Sequence, residues 1–401
     1  MLRDVRVLDL SWVLGGPFGG QILAQLGAEV IKIEPLAGDM ARSIPPYFFN
    51  GESSFFLSVN RGKKSVALDL KTPEGLQVLY DLVKTSAAVV YGYAPSVPKK
   101  LGIDFESLRA VNPRIVVAQL IGFHDEAPYA DAPAFDLIVQ AMGGFMSITG
   151  ERGGKPVRAG YQIADLAGGL YLSIACLGAL LSSALTGKGR TVQVSLLDCQ
   201  LALLTWQAQN YFVSGKVPSA LGSRHPMIAP SETFMCADNK PLVISPTGEV
   251  FWRKFCVAID HPELMADARF ATAAGRIQHV EALGQVLSTV FQKKTRDEWA
   301  DHLFKCRIPA APVLNVAEAL AQPLCMLRSM VETVADTADD GDELSFLGNP
   351  FKFEEASSLS FPPHLGADTD EVLTRLCGYD EAHLAYLKSR KAIFHKESND
   401  D

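Results

Sequence analysis

One acid, Asp165, stands directly before 21 uncharged residues, Leu166 to Thr186, in a chain of 401. A carboxylate at the head of a long apolar helix has two physical uses. It can cap the helix, accepting the free N–H groups at the positive end of the dipole. Held ionised in a half-buried site, it can instead attack an activated carbonyl and carry the acyl group covalently. The apolar run is also as long as a bilayer span. However, it contains Ser173, Ser182, Ser183 and three glycines, and it lies mid-chain. The preferred reading is a core helix buried on all sides in a large protein.

Other residues invite chemistry less specifically. "GGPFGG", Gly15 to Gly20, follows an apolar strand, with Glu34 further on. Its glycines do not match GxGxxG and Pro17 sits inside it, so a tight strand-to-helix turn with close packing is preferred over a nucleotide loop. "NRGKKS" groups Arg61, Lys63 and Lys64, and Lys99 and Lys100 form a second cluster. Both fall beside predicted strand ends, as solvated surface or as contacts to a phosphorylated small molecule. The eight histidines show no metal-ligand spacing, so no metal is expected. Seven cysteines with no CxxC pair read as reduced intracellular thiols. A net charge of -8 argues against nucleic acid. The N-terminus shows no signal or transit character, which points to a cytoplasmic protein with no membrane association.

These residues need a scaffold, and the pattern predicts one. Apolar strands at Val5 to Leu10, Ala28 to Glu34, Lys64 to Leu70, Ala87 to Tyr93 and Arg114 to Phe123 alternate with helical segments. Thr72 and Pro73 supply an N-cap and a first-turn proline for one helix. The alternation predicts a doubly wound α/β domain with a parallel sheet over residues 1–215. From 216 the chain turns rich in Ser, Gly and Pro. A hairpin with Asp238-Asn239 at its turn and helices near Val250 to Ile259, Arg276 to Gln292 and Thr295 to Lys305 then predict a smaller α+β domain to about 330. An acidic loop, "DTADDGDEL", and a helical C-terminal stretch follow.

The stretches "RVLDLSWVLGGPFGGQILAQLGAEVIKIE", "SVNRGKKSVALDLKTPEG", "FDLIVQAMGGFMSITG", "PVRAGYQIADLAGGLY" and "TGKGRTVQVSLLD" closely resemble the family III CoA-transferases, in order and with similar spacing. The resemblance implies a ring-shaped chain in an interlocked homodimer. Residues 331–401 would return to complete the large Rossmann-like domain. Asp165 falls on the family's catalytic aspartate, which forms mixed anhydride and aspartyl-CoA thioester intermediates. Coenzyme A would be substrate and product, with no permanently bound cofactor, and the partners would be acyl-CoA and carboxylic acids. CoA contacts carry over to Leu14 and Gly15, to Leu68, Asp69, Leu70 and Lys71, to Gly92, Tyr93 and Ala94, and to Lys100. Pro133, Ala134, Phe135 and Asp136 would line the thioester end. Gly92 stands where Asn is common, and Pro35 where formyl-CoA transferase has Arg. The family also holds α-methylacyl-CoA racemases, which need a His at the position of Phe135; Glu249 aligns with their glutamate. An inactive CoA-binding subunit is the third reading. "PVRAG" resembles the succinyl-CoA-using members, so Arg158, Arg224 and His225 are candidates to hold a substrate's second carboxylate.

Overall fold

The computed structural model describes residues 1–336, 341–354 and 358–394. Strand β1 (Arg6–Leu10) leads into helix α1 (Gly15–Gln25) and strand β2 (Glu29–Glu34). The alternation continues with β3 (Lys63–Ala67), α2 (Pro73–Lys84), β4 (Ala88–Tyr91) and β5 (Val116–Ile121). Helix α3 (Asp136–Met142) precedes α4 (Ile163–Thr186), β6 (Arg190–Ser195), α5 (Leu196–Ala202) and α6 (Thr205–Ser214). The six strands form one parallel sheet in the order β3-β2-β1-β4-β5-β6. The order reverses between β1 and β4. In open α/β sheets that reversal leaves a crevice beyond the carboxyl ends of the strands.

The strands are runs of Val, Ile and Leu because both faces of the sheet are covered. Val7, Val30, Val90 and Val116 pack with Leu23 of α1 and with Leu172 and Cys176 of α4. Their neighbours Leu8, Ile31, Val89 and Val117 pack on the other face with Val78 and Leu82 of α2. That face is completed by Val372 and Leu373 of the helix Thr369–Cys377 and by Leu384 and Leu387 of the helix Glu381–Ser389. The cap expected at Thr72 is present, its hydroxyl accepting from Gly75 N–H (3.0 Å), with Pro73 opening α2.

Helix α4 departs from the expected all-round burial. Ala164, Ala167, Gly168, Leu172, Cys176, Ala179 and Ser183 form a buried stripe of mostly small residues. Leu170, Ile174, Leu181 and Leu185 on the other side are exposed. Among the described residues, this 24-residue helix is the one long and apolar enough to cross a membrane. Its inner stripe, however, is committed to the sheet and to α1.

The chain divides into two compact units, one of Met1–Met146, Arg158–Lys216 and Leu324–Asp401 and one of Ser147–Val157 and Val217–Pro323. The second unit contains the expected hairpin, Glu232–Met235 and Pro241–Ile244, with Asn239 at its turn in the left-handed region (φ 56°). Strand Ala310–Pro312 joins it to make a three-stranded antiparallel sheet. Phe234, Trp252, Phe255, Phe291 and Trp299 fill its core. The single helix expected over Arg276 to Gln292 is two, Ala273–Gln278 and Val280–Phe291, broken at His279. The first is held by the buried Arg276, whose guanidinium donates to the Ala229 and Phe270 carbonyls and to Glu249. The acidic stretch at 336–344 lies partly outside the described residues.

Candidate active site

The β1–α1 loop is fixed by buried charge. Val13, a β-branched residue, sits in the left-handed region (φ 62°), a strained conformation that needs support. Its N–H donates to both Asp39 carboxylate oxygens (3.2 Å each). Lys32 pairs with Asp39 (2.9 Å) and donates to the Ser11 carbonyl (2.9 Å). Lys63 pairs with Asp9 (2.8 Å) and donates to the Pro17 carbonyl (2.8 Å). Burial pushes the Lys63 ammonium down to about 8, against the pull of Asp9. The "NRGKKS" charges therefore do not wait for phosphate. Lys63 is internal, Arg61 is buried against Glu332, and Lys64 pairs with Glu371.

The glycines of "GGPFGG" bring α1 against the start of α4. A Cβ added at Gly15 would meet the Asp165 carbonyl oxygen at 2.9 Å, and one at Gly169 would meet the Gly15 carbonyl oxygen at 2.4 Å. The motif is thus a packing device between two helix backbones, and it sets Asp165 at the carboxyl edge of the sheet.

Asp165 occupies the first turn of α4 and is half-buried. It is not the helix cap that the sequence left open. Gln162, at the capping position, contributes no side-chain bond. The cap comes from α3: Ala164 N–H and Asp165 N–H both donate to Asp136 Oδ1 (2.8 and 3.3 Å). Among the described residues, no donor reaches the Asp165 carboxylate itself. Burial first, and the nearby Asp136 charge second, push its carboxyl up to about 7.

The residues expected to touch CoA follow the carboxyl ends of the strands, on loops and in the helices that those loops enter. Leu14 and Gly15 lie beyond β1, and Leu68, Asp69, Leu70 and Lys71 beyond β3. Gly92, Tyr93 and Ala94 follow β4, Lys100 lies in the short helix Val97–Leu101, Pro133 to Phe135 come before α3 on the way from β5, and Asp136 opens α3. Leu14 and Leu68 are buried, whereas Lys71, Gly92, Ala94, Lys100 and Pro133 are exposed. Asp69 accepts from the Lys71 N–H (3.0 Å). Ala134 packs tightly on Gly122, where an added Cβ would lie 2.1 Å from its own. Phe135 is 70% exposed. Asp136 is 8% exposed, and its carboxylate accepts from the first amides of α4.

At the reversal of strand order, Trp12 from the β1 loop meets Tyr93 from the β4 loop edge-to-face, with ring centroids 5.7 Å apart. Sequence reasoning missed Trp12, although a tryptophan directly after a strand, before a glycine turn, was the available signal. It also missed Gln140, one helical turn beyond Asp136 in an otherwise apolar helix.

The substrate candidates separate. Arg224 is engaged by Glu232 (3.1 Å) and Glu281 (2.7 Å) within the second unit, and Glu249 by Arg276 (2.7 Å). Both residues are thus engaged in ion pairs within that unit. His225 Nδ1 accepts from Met227 N–H (3.1 Å). Arg158 is exposed and donates to the Ala159 carbonyl (3.2 Å), with no carboxylate partner among the described residues.

Comparison with known proteins gives a consistent picture. The sequence profile of CoA-transferase family III matches residues 2–369. The chain is 35% identical over 389 residues to a succinate–glutarate CoA-transferase of Agrobacterium fabrum, covering 94% of this chain and 95% of that protein. It is 38% identical over 327 residues to an acetyl-CoA:oxalate CoA-transferase of Acetobacter aceti, covering 81% and 84%. The crystal structure of a CaiB/BaiF family protein from Brucella suis superposes with a TM-score of 0.82 at 34% identity, over 93% of this chain and 98% of that one.

Proposed function

This chain belongs to CoA-transferase family III and is an enzyme of the CoA-transferase type, and from that premise we propose that it moves CoA between carboxylic acids through covalent intermediates on Asp165. The observation that carries the reading is a half-buried carboxylate with no hydrogen-bond donor among the described residues, raised to about 7, on the crevice edge of the sheet. Such a carboxylate is less stabilised than one in water, and so is a stronger nucleophile when ionised.

The steps balance as exchanges of one activated acyl group for another. The Asp165 carboxylate attacks the thioester carbonyl of the donor, forming a mixed anhydride and expelling CoA thiolate. The thiolate attacks the aspartyl carbonyl, forming an aspartyl-CoA thioester and releasing the donor acid. The acceptor carboxylate attacks that thioester, giving a new anhydride and again free thiolate. Attack of the thiolate on the new acyl carbonyl forms the product acyl-CoA and restores Asp165. The loops after β1, β3 and β4 would hold CoA at the reversal of strand order, with the exposed Lys71 and Lys100 available for its phosphates.

Two further readings belong to the same proposal. The relatives' names, succinate–glutarate and oxalate, support a dicarboxylic acid on at least one side of the reaction. The exposed apolar residues of α3, α4 and α6, among them Ile138, Ile174, Leu185 and Phe212, support an obligate homodimer, interlocked as in the family resemblance. A racemase is disfavoured, because Phe135 is no base and Glu249 is held by Arg276.

The test is chemical trapping. Wild type incubated with succinyl-CoA should carry a mass adduct on the peptide containing Asp165, cleavable by hydroxylamine. Asp165→Ala should show neither adduct nor transfer to glutarate or oxalate. Transfer by that variant at near wild-type rate would sink the mechanism.

A further inference from the structure

A helix begins with four N–H groups that lack partners inside the helix. In α4 the residue placed to cap them, Gln162, makes no side-chain bond, and the duty passes to α3. Asp136 Oδ1 accepts from the Ala164 and Asp165 amides (2.8 and 3.3 Å). Its other oxygen, Oδ2, accepts from Gln140 Nε2, one turn along α3. Gln140 Oε1 in turn accepts from Ala159 N–H (2.8 Å). One side chain is 8% exposed and the other 0%. This buried pair therefore holds three amides of a single segment, at 159, 164 and 165, and that segment ends in the nucleophile.

We propose that Asp136 is a positioning residue for the transfer reaction: with Gln140 it fixes the backbone on which Asp165 is presented, and its own charge occupies the positive end of α4. The Asp165 carboxylate is then left without a capping bond and free to turn to the thioester. This rests on the reading of Asp165 as nucleophile. An acid in the first turn of a helix is ordinarily stabilised in its ionised form by the free amides and the dipole. Here those amides already bind an anion, so Asp165 receives repulsion where it would have received stabilisation. The direction of its shift, upward, agrees.

Burial is the larger cause of that shift, and Asp136 is the charge that adds to it. Helix α1 and strand β5 carry no ionisable side chain, and α3 carries only Asp136. Helix α5 has the exposed Asp198, and the thiol of Cys199, which burial pushes up to about 11. Within α4, Tyr171 is exposed and the buried Cys176 thiol is pushed up to about 12. Arg190 of β6 bonds Ser182, toward the opposite end of α4.

The test compares D136N and D136A with wild type, reading kcat, KM for succinyl-CoA and the pH dependence of kcat/KM. D136N keeps an oxygen for the two amides and removes the charge. Its acidic midpoint should move down from near 7, with KM for succinyl-CoA little changed. D136A also removes the cap, and its kcat should fall at least about tenfold while KM holds. A folded D136N whose midpoint stays at the wild-type value overturns the proposal, because a merely structural residue would leave that midpoint alone. Thermal melts run alongside show whether each variant is folded. The adduct on Asp165 in wild type is measured in parallel. Its absence sinks the nucleophile reading, whereas its presence with an unmoved D136N midpoint sinks only the role of Asp136.

Discussion

With Asp165 as the proposed nucleophile, its raised carboxyl predicts opposite pH dependences of activity and stability. Its carboxyl is raised from the ordinary 3.8 to about 7. The folded chain therefore holds the proton more tightly than the unfolded chain between about pH 4 and 7. Stability from this group is fully present below that window and declines as pH rises through it, while the nucleophile appears over its upper part. Activity should rise through about pH 7, and Asp165→Asn should be inactive yet more stable above that pH, by on the order of 2–4 kcal/mol. Melting curves of the two proteins at pH 5 and 8 check this; equal differences at both pH values would refute it. At the same scale, Arg158→Ala should weaken use of succinate-like acceptors by about 1.5–3 kcal/mol and spare monocarboxylates. Arg224→Ala should leave acceptor choice unchanged and loosen the second unit, as acceptor competition assays and melts would report. The acid before an apolar run was legible in the sequence because both features are local. Its cap was not: Asp136 lies 28 residues from the first amide that it serves, and only the packing of α3 on α4 joins them. The ion pairs of Arg224 and Glu249 were hidden for the same reason, since their partners Glu281 and Arg276 lie 57 and 27 residues away.

Among the elements, the contact between α1 and α4 is the most demanding. No side chain separates Gly15 from Gly169. Gly169→Ala would press a methyl to 2.4 Å from a carbonyl oxygen that belongs to the loop-and-helix start beside the site. The helices must part, at a cost of about 1–3 kcal/mol, and Asp165 moves with α4. The expected outcome is a lower melting temperature together with a fall in kcat of tenfold or more; unchanged kcat in a folded variant would show that the site tolerates the displacement. The strands, the α2 cap and the hairpin were readable from period, Thr72-Pro73 and Asp238-Asn239. The breaks were harder. The helix expected over Arg276 to Gln292 begins earlier, at Ala273, and is interrupted at His279.

Over the whole molecule, hydrophobicity told more about the parallel sheet than about α4. A run of 21 uncharged residues implied burial on every side, but the structure buries a stripe of mostly small residues and leaves Leu170, Ile174, Leu181 and Leu185 exposed. Composition cannot distinguish a helix inside one chain from a helix between two. The exposed face predicts a dimer that persists on dilution. Sedimentation at falling concentration checks it, and a concentration-dependent monomer would refute the interlocked arrangement. The sheet itself also depends on residues far along the chain. Ala67 N–H donates to Thr369 Oγ1, 302 residues later, and Asp69 and Phe394 N–H groups exchange bonds with Ala392 and Ala67 carbonyls. On the ribosome, Asp165 and every loop residue assigned to CoA emerge long before those partners. A nascent chain halted ahead of Thr369 would carry Asp165 and the proposed CoA contacts on a sheet with one greasy side covered by α2 but not yet by the C-terminal helices, a client for chaperones.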